Sequence, residues 1–331
     1  MKIPKFIKPN DEIYLVAPSL GCTTEPYKTR LIASINKLKD EYMLIEGRNI
    51  WLNNVACASN TKELRALEIN EAFNSNASLI ASVGGGEIMS DILEYLDNDA
   101  INNNPKWFMG YSDNTNLGYI LATKYDIASL YCVNFPTLGL NGNNIDSIDT
   151  LKLLKGEINK VISYQKFQDP SYQSEPLEEL KLNKTSNVLG SINAKGRLVG
   201  GCLDVLVNLC GTEFDYTKEF IKRYENEEII FFFEACDLTP SGIYRCLLQL
   251  KRAGWFKNTK NIIFGRALAS HNVDFIGMTE YNATSILDDL NINIIYNVSI
   301  GHISPTMPII NGAYVLAVTK NNKLEIEYLE I

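Results

Sequence analysis

Histidine is nearly absent from this sequence: 331 residues contain two, His271 and His302. Any chemistry that needs an imidazole must use one of them, and a metal site built from several histidines is nearly ruled out, so no metal is expected. Positive charge is also scarce. Lys and Arg number 31 against 39 Asp and Glu, a formal net charge of -8 with a pI of about 5.0. A chain without a basic excess is not built to neutralise phosphates, so a nucleic acid polymer is not an expected partner. The seven cysteines (Cys22, Cys57, Cys132, Cys202, Cys210, Cys236 and Cys246) are odd in number, and no two are spaced C-x-x-C. That pattern belongs to reduced, mostly buried thiols in a cytoplasm, not to a disulfide framework or a zinc site. No apolar run approaches the length of about 18 residues that a membrane span needs. Met1-Lys2-Ile3-Pro4-Lys5 shows neither the apolar core nor the cleavage site of a secretory signal. A cytoplasmic protein with no membrane contact is the expectation.

What is present is an ordinary globular mixture, 46% hydrophobic and 21% charged. At roughly 150 residues per domain the length suggests two domains, and a chain of this size buries a large core. Residues 13–17 (IYLVA) form a short apolar run ended by Pro18-Ser19-Leu20-Gly21, the pattern of a buried strand entering a loop. Helical spacing follows at 26–39, with Leu31, Ile35 and Leu38 on one face. It recurs at 61–73, where Thr61 is the candidate N-cap and Leu64, Leu67, Ile69 and Phe73 supply the apolar side. Strands are predicted at 79–83 and 107–111, and helices at 88–96 and 114–125. Alternating strands and helices imply a mostly parallel sheet covered on both faces.

Between about 136 and 190 the pattern loosens into polar, glycine-bearing sequence with one helix near 146–154, and the domain boundary belongs there. The predicted organisation is an N-terminal α/β domain over 1–140, linker and loops over 141–190, and a C-terminal α/β domain over 191–331. In the second half, Gly196-Arg197-Leu198-Val199-Gly200-Gly201 precedes a helix through 203–209. Strands are predicted at 229–234 and 261–264, helices at 241–254 and 279–290, and a terminal hairpin at 313–319 and 324–329.

Five segments carry candidate chemistry. Gly110-Tyr111-Ser112-Asp113-Asn114-Thr115 sits between a strand and a helix, where a tight turn lifts a serine hydroxyl off the sheet. The usual elbow is G-x-S-x-G, and Asn114 replaces its last glycine, so a plain helix N-cap is the competing reading. Gly84-Gly85-Gly86 lies at another strand-to-helix junction; its amides suit an anion or a carbonyl oxygen, and a simple tight turn is equally compatible. No Gly-Lys-Ser/Thr follows it, which excludes a P-loop. His302 stands in the loop Ile300-Gly301-His302-Ile303-Ser304-Pro305 and His271 in Ala269-Ser270-His271-Asn272, with no local reason to prefer either. Glu234 ends the apolar run 229–233, where a carboxylate is costly unless it is paired or reaches water. Serine, acid and histidine in the order Ser112, Glu234, His302 are the components of a catalytic triad on an α/β scaffold.

Read together and in this order, Ala17-Pro18-Ser19, the glycine turn, Gly110-Tyr111-Ser112-Asp113, Gly200-Gly201, Phe233-Glu234, Gly265-Arg266 and Gly301-His302 resemble the LD-carboxypeptidase family of serine peptidases. The turn Val83-Gly84-Gly85-Gly86-Glu87 is closer to the microcin C immunity branch than to the peptidoglycan-recycling branch, which usually has Arg-Gly-Gly-Tyr-Gly there. The immunity branch often carries a Trp before Gly200-Gly201 and Asp-Ser after the acid. Here Trp51, Trp107 and Trp255 all lie elsewhere, and Ala235-Cys236 follows Glu234. The resemblance implies a flavodoxin-like N-terminal domain with a parallel sheet and a smaller C-terminal α/β domain, the site between them, and a homodimer. It implies Ser112 as nucleophile, Glu234 as acid and His302 as base, with an oxyanion hole from the amides of Asp113 and of Gly85 or Gly86. The substrate it implies is a small peptide or peptide conjugate, either a murein L,D-tetrapeptide or a peptidyl-nucleotide. It implies no organic cofactor. A terminal carboxylate on that substrate needs a cation or a backbone nest, for which Arg266 and Arg245 are candidates. Two other readings stay open: a binding protein of the same fold without catalysis, and a cysteine-dependent hydrolase.

Overall fold

The computed structural model describes residues 1–269 and 277–331. Its first sheet contains β1 (Glu12–Val16), β2 (Met43–Glu46), β3 (Leu79–Ser82), β4 (Trp107–Met109) and β5 (Ser129–Tyr131), all parallel, in the spatial order β2-β1-β3-β4-β5. This is the doubly wound order of a flavodoxin-like sheet. The central strands are buried throughout, as strands covered by helices on both faces must be.

Next along the chain come β6 (Lys160–Ile162) and a two-stranded ribbon of β7 (Lys166–Phe167) and β8 (Lys184–Thr185). The second sheet is built from β9 (Asn193–Cys202), β10 (Ile229–Glu234), β11 (Asn261–Gly265) and β12 (Asn293–Val298), which run parallel. The chain then returns to the first sheet, where β13 (Ile309–Asn311) pairs antiparallel with β5. Finally β14 (Tyr314–Lys320) and β15 (Lys323–Tyr328) form the expected terminal hairpin, and β6 pairs along its outer edge. Asn321 and Asn322 make its turn, both with positive φ (49° and 59°), a conformation that asparagine tolerates well.

The two sheets are joined by buried polar bonds. Cys202 N donates to Thr115 Oγ1 at 3.1 Å, linking the end of β9 to the helix Thr115–Thr123 of the first half. Asn311 Oδ1 accepts from Gly200 N, and its Nδ2 donates to Gly200 O, both at 3.2 Å. One turn further along the same helix, Tyr119 stacks on Trp255 with ring centroids 5.2 Å apart. A buried polar group left unpaired costs about 1–3 kcal/mol, so these bonds fix how the halves meet. The carboxyl ends of β4 and β10 are thereby brought to one junction.

Several local expectations are corrected. The helix Lys62–Asn74 exposes Leu64 and Leu67 and buries Arg65 and Glu68. Its buried charges are paired. Arg65 bonds both carboxylate oxygens of Asp91 and the carbonyls of Asn60, Pro18 and Ile88, while Glu68 accepts from the amides of Ala17 and Asn49. Those bonds outweigh the hydrophobic pattern and pin the loops on either side of the glycine turn. The predicted helix at 88–96 is a 3-10 helix, Met89–Tyr95, and that at 279–290 is one short α-turn, Glu280–Ala283, followed by the 3-10 helix Thr284–Leu290. The strand at 107–111 stops at Met109, because Tyr111 N leaves the ladder for the side chain of Asn134. Among the described residues no helix is long and apolar enough to cross a membrane.

Candidate active site

The chain leaves β4 through Gly110 and Tyr111 and enters the helical turn Ser112–Asn114. Ser112 adopts φ 63°, the left-handed region that a side chain rarely occupies, at a cost on the order of 1–3 kcal/mol. Asn114, which stands where the usual elbow has glycine, holds this strained turn. Its Nδ2 donates to Gly84 O at 2.9 Å, to Tyr111 O at 3.0 Å and to Asn134 Oδ1 at 3.2 Å. One amide thus ties the serine turn to the glycine turn. Gly85 O accepts from Leu20 N, which fixes the glycine turn from its other side.

A Cβ on Gly85 would stand 3.0 Å from Ser112 Oγ and 3.8 Å from Asp113 N. That position lies directly against Ser112 and beside the first-turn amide of Asp113, which has no partner within its own helix.

Glu234 ends β10 fully buried, and neighbouring side chains satisfy its carboxylate. Tyr131 at the end of β5 donates its hydroxyl to Oε1 at 2.5 Å, and His302 Nδ1 lies 2.9 Å from Oε2. Burial alone would raise the Glu234 carboxyl, but the His302 charge and the bonds from His302, Tyr131 and Cys202 bring it below its ordinary value. Burial likewise pulls His302 down, and the Glu234 charge with the surrounding bonds carries it well above its ordinary 6.5. The pair is a carboxylate that orients an imidazole. With Nδ1 bonded to Glu234, His302 Nε2 has no oxygen or nitrogen partner among the described residues, and the Cys236 thiol approaches the ring.

His302 lies in the crossover between β12 and β13, and so between the sheets. Its neighbour Gly301 has φ 108°, and any Cβ there would sit 2.4 Å from Glu234 Oε2. Glycine is required for the carboxylate to reach the ring. Tyr111 packs on the imidazole with centroids 4.9 Å apart.

Ser112 and His302 share the wall of a cavity of about 330 Å³ with Gly85, Tyr111, Tyr27 and Cys236. The Cys236 thiol interacts with the same imidazole, and burial pushes it above its ordinary value, so it is held protonated at neutral pH. Arg266 is buried away from this cavity. It donates to Tyr164 O, its guanidinium lies 4.7 Å from the Phe167 ring centroid, and burial lowers it to about 10. Arg245 is exposed on the helix Pro240–Arg252 and bonds Ser241. Neither lines the cavity. His271 lies outside the described residues.

Three contributors escaped the sequence reading. Tyr131 sits in a strand too short for periodicity to reveal. Asn114 was visible only as a departure from the elbow pattern. Cys236 was visible only as the residue that follows the acid by two.

The chain matches the LD-carboxypeptidase N-terminal domain over residues 13–132 and the LD-carboxypeptidase C-terminal domain over residues 195–316. It is 28% identical over 312 residues to the microcin C7 self-immunity protein MccF of Escherichia coli, spanning 89% of this chain and 87% of that protein. It is 24% identical over 318 residues to a probable murein peptide carboxypeptidase of Bacillus subtilis, spanning 94% and 89%. The crystal structure of an MccF-like protein from Bacillus anthracis superimposes with a TM-score of 0.82 at 22% identity, covering 99% of this chain and all of that one. MccF in complex with aspartyl sulfamoyl adenosine gives 0.80 at 24% identity, covering 98% and 99%. Those structures share the fold, and the two matched domains account for most of the chain: it belongs to the LD-carboxypeptidase family and is a peptidase-type hydrolase.

Proposed function

We propose that this protein is a serine peptidase that hydrolyses an amide bond at the C-terminal end of a small peptide or peptide conjugate. Ser112 is the nucleophile, His302 the base and Glu234 the residue that orients the base. The observation that carries this reading is the buried Glu234–His302 pair, in the wall of the cavity that also holds the strained Ser112, with no oxygen or nitrogen partner on Nε2 among the described residues.

In the first step His302 Nε2 takes the Ser112 proton as Oγ attacks the substrate carbonyl, while Nδ1–H donates to Glu234. The carbonyl electron pair moves onto oxygen, which is met by the Asp113 amide and an amide of the Gly85-Gly86 turn. Such donors typically contribute about 3 kcal/mol each. Collapse of the adduct passes the proton from Nε2 to the leaving amine and leaves an acyl-serine. Water then repeats the sequence with His302 as base and frees Ser112.

The wall beside Gly85 gives a test of the oxyanion hole apart from the triad. Gly85→Ala fills the position 3.0 Å from Ser112 Oγ, so kcat is expected to fall by about 10²–10³-fold while the fold persists. Steady-state kinetics with a thermal melt of the variant checks it; unchanged kcat would remove Gly85 from the hole.

For the substrate, a murein L,D-tetrapeptide and a peptidyl-aminoacyl-adenylate analogue follow from the two kinds of relative. The deciding experiment incubates the protein with each and reads the products by mass spectrometry. Cleavage of one, with release of its C-terminal unit, selects the branch. Cleavage of neither overturns both assignments and returns weight to a binding protein of this fold.

A further inference from the structure

Asp146 stands in the first turn of the helix Ile145–Leu154 and is fully buried. Its Oδ1 accepts from Ser147 N at 2.7 Å and from Ser147 Oγ at 3.4 Å. Its Oδ2 accepts from Thr306 N at 3.4 Å. Among the described residues no Lys, Arg or His pairs with it. Burial raises its carboxyl to about 6, and the bonds from Ser147 and Thr306 act against that rise. The ionisable groups that face it from neighbouring elements are Cys132, after β5, and Tyr164, between β6 and β7. Burial pushes both up, and both are neutral at neutral pH. Asp149, on its own helix, accepts from the Tyr164 hydroxyl. A buried carboxylate without a cation is costly, and it persists here through the donors it holds.

One of those donors leads to His302. The crossover between β12 and β13 is a loop closed on itself: Gly301 N donates to Thr306 Oγ1 at 2.9 Å, and Met307 N donates to Ser299 O. Thr306 is buried and serves both ends of a tether. Its amide bonds Asp146 and no other group among the described residues, and its hydroxyl accepts from Gly301. Gly301 precedes His302 and packs on Glu234, where a Cβ would meet the carboxylate. Two bonds thus connect Asp146 to the residue beside the imidazole. The other ties to the crossover bypass Gly301: Tyr164 N donates to Ser299 Oγ at 2.8 Å, and Gln168 N to Ser304 O at 2.9 Å.

We infer that Asp146 is a positioning residue for His302, holding through Thr306 the backbone that keeps Nδ1 on Glu234. The consequence for catalysis rests on the serine peptidase reading; the placement of the ring rests on the bonds alone. Ser147 N and Thr306 N are both donors, and a carboxylate accepts from both at once. Asparagine in its place keeps the shape but turns its NH₂ toward one of them. The shorter Ser147 bond is the one retained, so the Thr306 end of the tether is lost.

The test reads the ring directly. Two histidines give two ring signals in the NMR spectrum, and His271→Gln identifies which of them is His302. In the unaltered protein the His302 titration midpoint is expected above 6.5. Thr306→Val removes the hydroxyl and keeps the Asp146 charge. Asp146→Asn and Thr306→Val are each expected to lower the midpoint by about 0.5–1 pH unit, because a looser ring keeps its burial and loses part of the Glu234 charge. Thr306→Ser keeps the hydroxyl and is expected to restore the midpoint. On a cleaved substrate, kcat of Asp146→Asn and of Thr306→Val should fall about 10–100-fold at unchanged KM, the scale of a misplaced catalytic group. A midpoint unmoved in both variants overturns the inference. So does one that moves in Asp146→Asn but not in Thr306→Val, since the charge would then act through space. A Thr306→Ser midpoint displaced as far as that of Thr306→Val also overturns it. Shifted midpoints in a protein that cleaves neither candidate substrate would count against the peptidase reading while leaving the positioning of the ring standing.

Discussion

Replacing Ser112 by alanine is expected to lower kcat by about 10⁴–10⁶-fold, because the members of a nucleophile–base unit fail together when one is removed. The effect should be confined to chemistry. Alanine has the same Cβ and meets the same left-handed backbone, so the turn is no more strained than with serine. Ser112 lines the cavity, and among the described residues no hydrogen bond of the scaffold runs through its hydroxyl. The melting temperature and the affinity for an uncleaved substrate analogue should therefore change little. Single-turnover kinetics on substrate, beside a thermal melt, measures both. The companion variant Cys236→Ser separates the serine mechanism from a thiol one. Burial holds that thiol protonated, and serine fills its volume, so activity should stay within about threefold of the parent protein. Loss of activity in Cys236→Ser together with its survival in Ser112→Ala would exchange the two roles.

How far such a site could be read in advance depended on the kind of signal each residue leaves. Strands of four or more apolar residues between helices, such as 79–83 and 229–234, announce themselves, and so does the parallel sheet they imply. The acid at the tip of β10 was suspicious because a carboxylate there must be paired. Periodicity did not show what pairs it; His302 came from the resemblance alone, and Tyr131 from nothing. Tyr131 comes from a three-residue strand, and His302 arrives from a crossover whose return to the first sheet, through Ile309–Asn311, leaves no periodic trace. The helix 62–74 misled for the opposite reason. Its leucines set the apparent face, whereas the buried face is decided by Arg65 and Glu68, whose partners are backbone groups from loops that no pattern identifies. Polar residues buried for their hydrogen bonds are the ones a hydrophobic pattern misplaces, and here they are the ones that hold the glycine and serine turns.

Glu234→Gln is the change that should reveal most about how the base is prepared, and its expected cost is about 10³–10⁴-fold in kcat. The loss follows from proton placement. In the parent protein both oxygens of Glu234 accept, one from Tyr131 and one from His302 Nδ1. A glutamine that keeps its oxygen toward the Tyr131 hydroxyl must turn its NH₂ toward Nδ1. That nitrogen then has to accept, the ring proton moves to Nε2, and the atom that should take the Ser112 proton is already occupied. The pH profile carries an independent signature. His302 sits well above its ordinary value chiefly because the carboxylate charge of Glu234 works against burial. In the parent protein the unprotonated base therefore fills late, as pH rises through that raised value, and the acid limb of kcat/KM lies above 6.5. With the charge gone, burial remains and acts in the other direction, so the limb of the residual activity should move to lower pH. A profile of kcat/KM against pH for both proteins decides the matter. A limb that stays in place, or moves upward, would mean that some other group charges the imidazole and that Glu234 serves only to pack the junction of the two sheets.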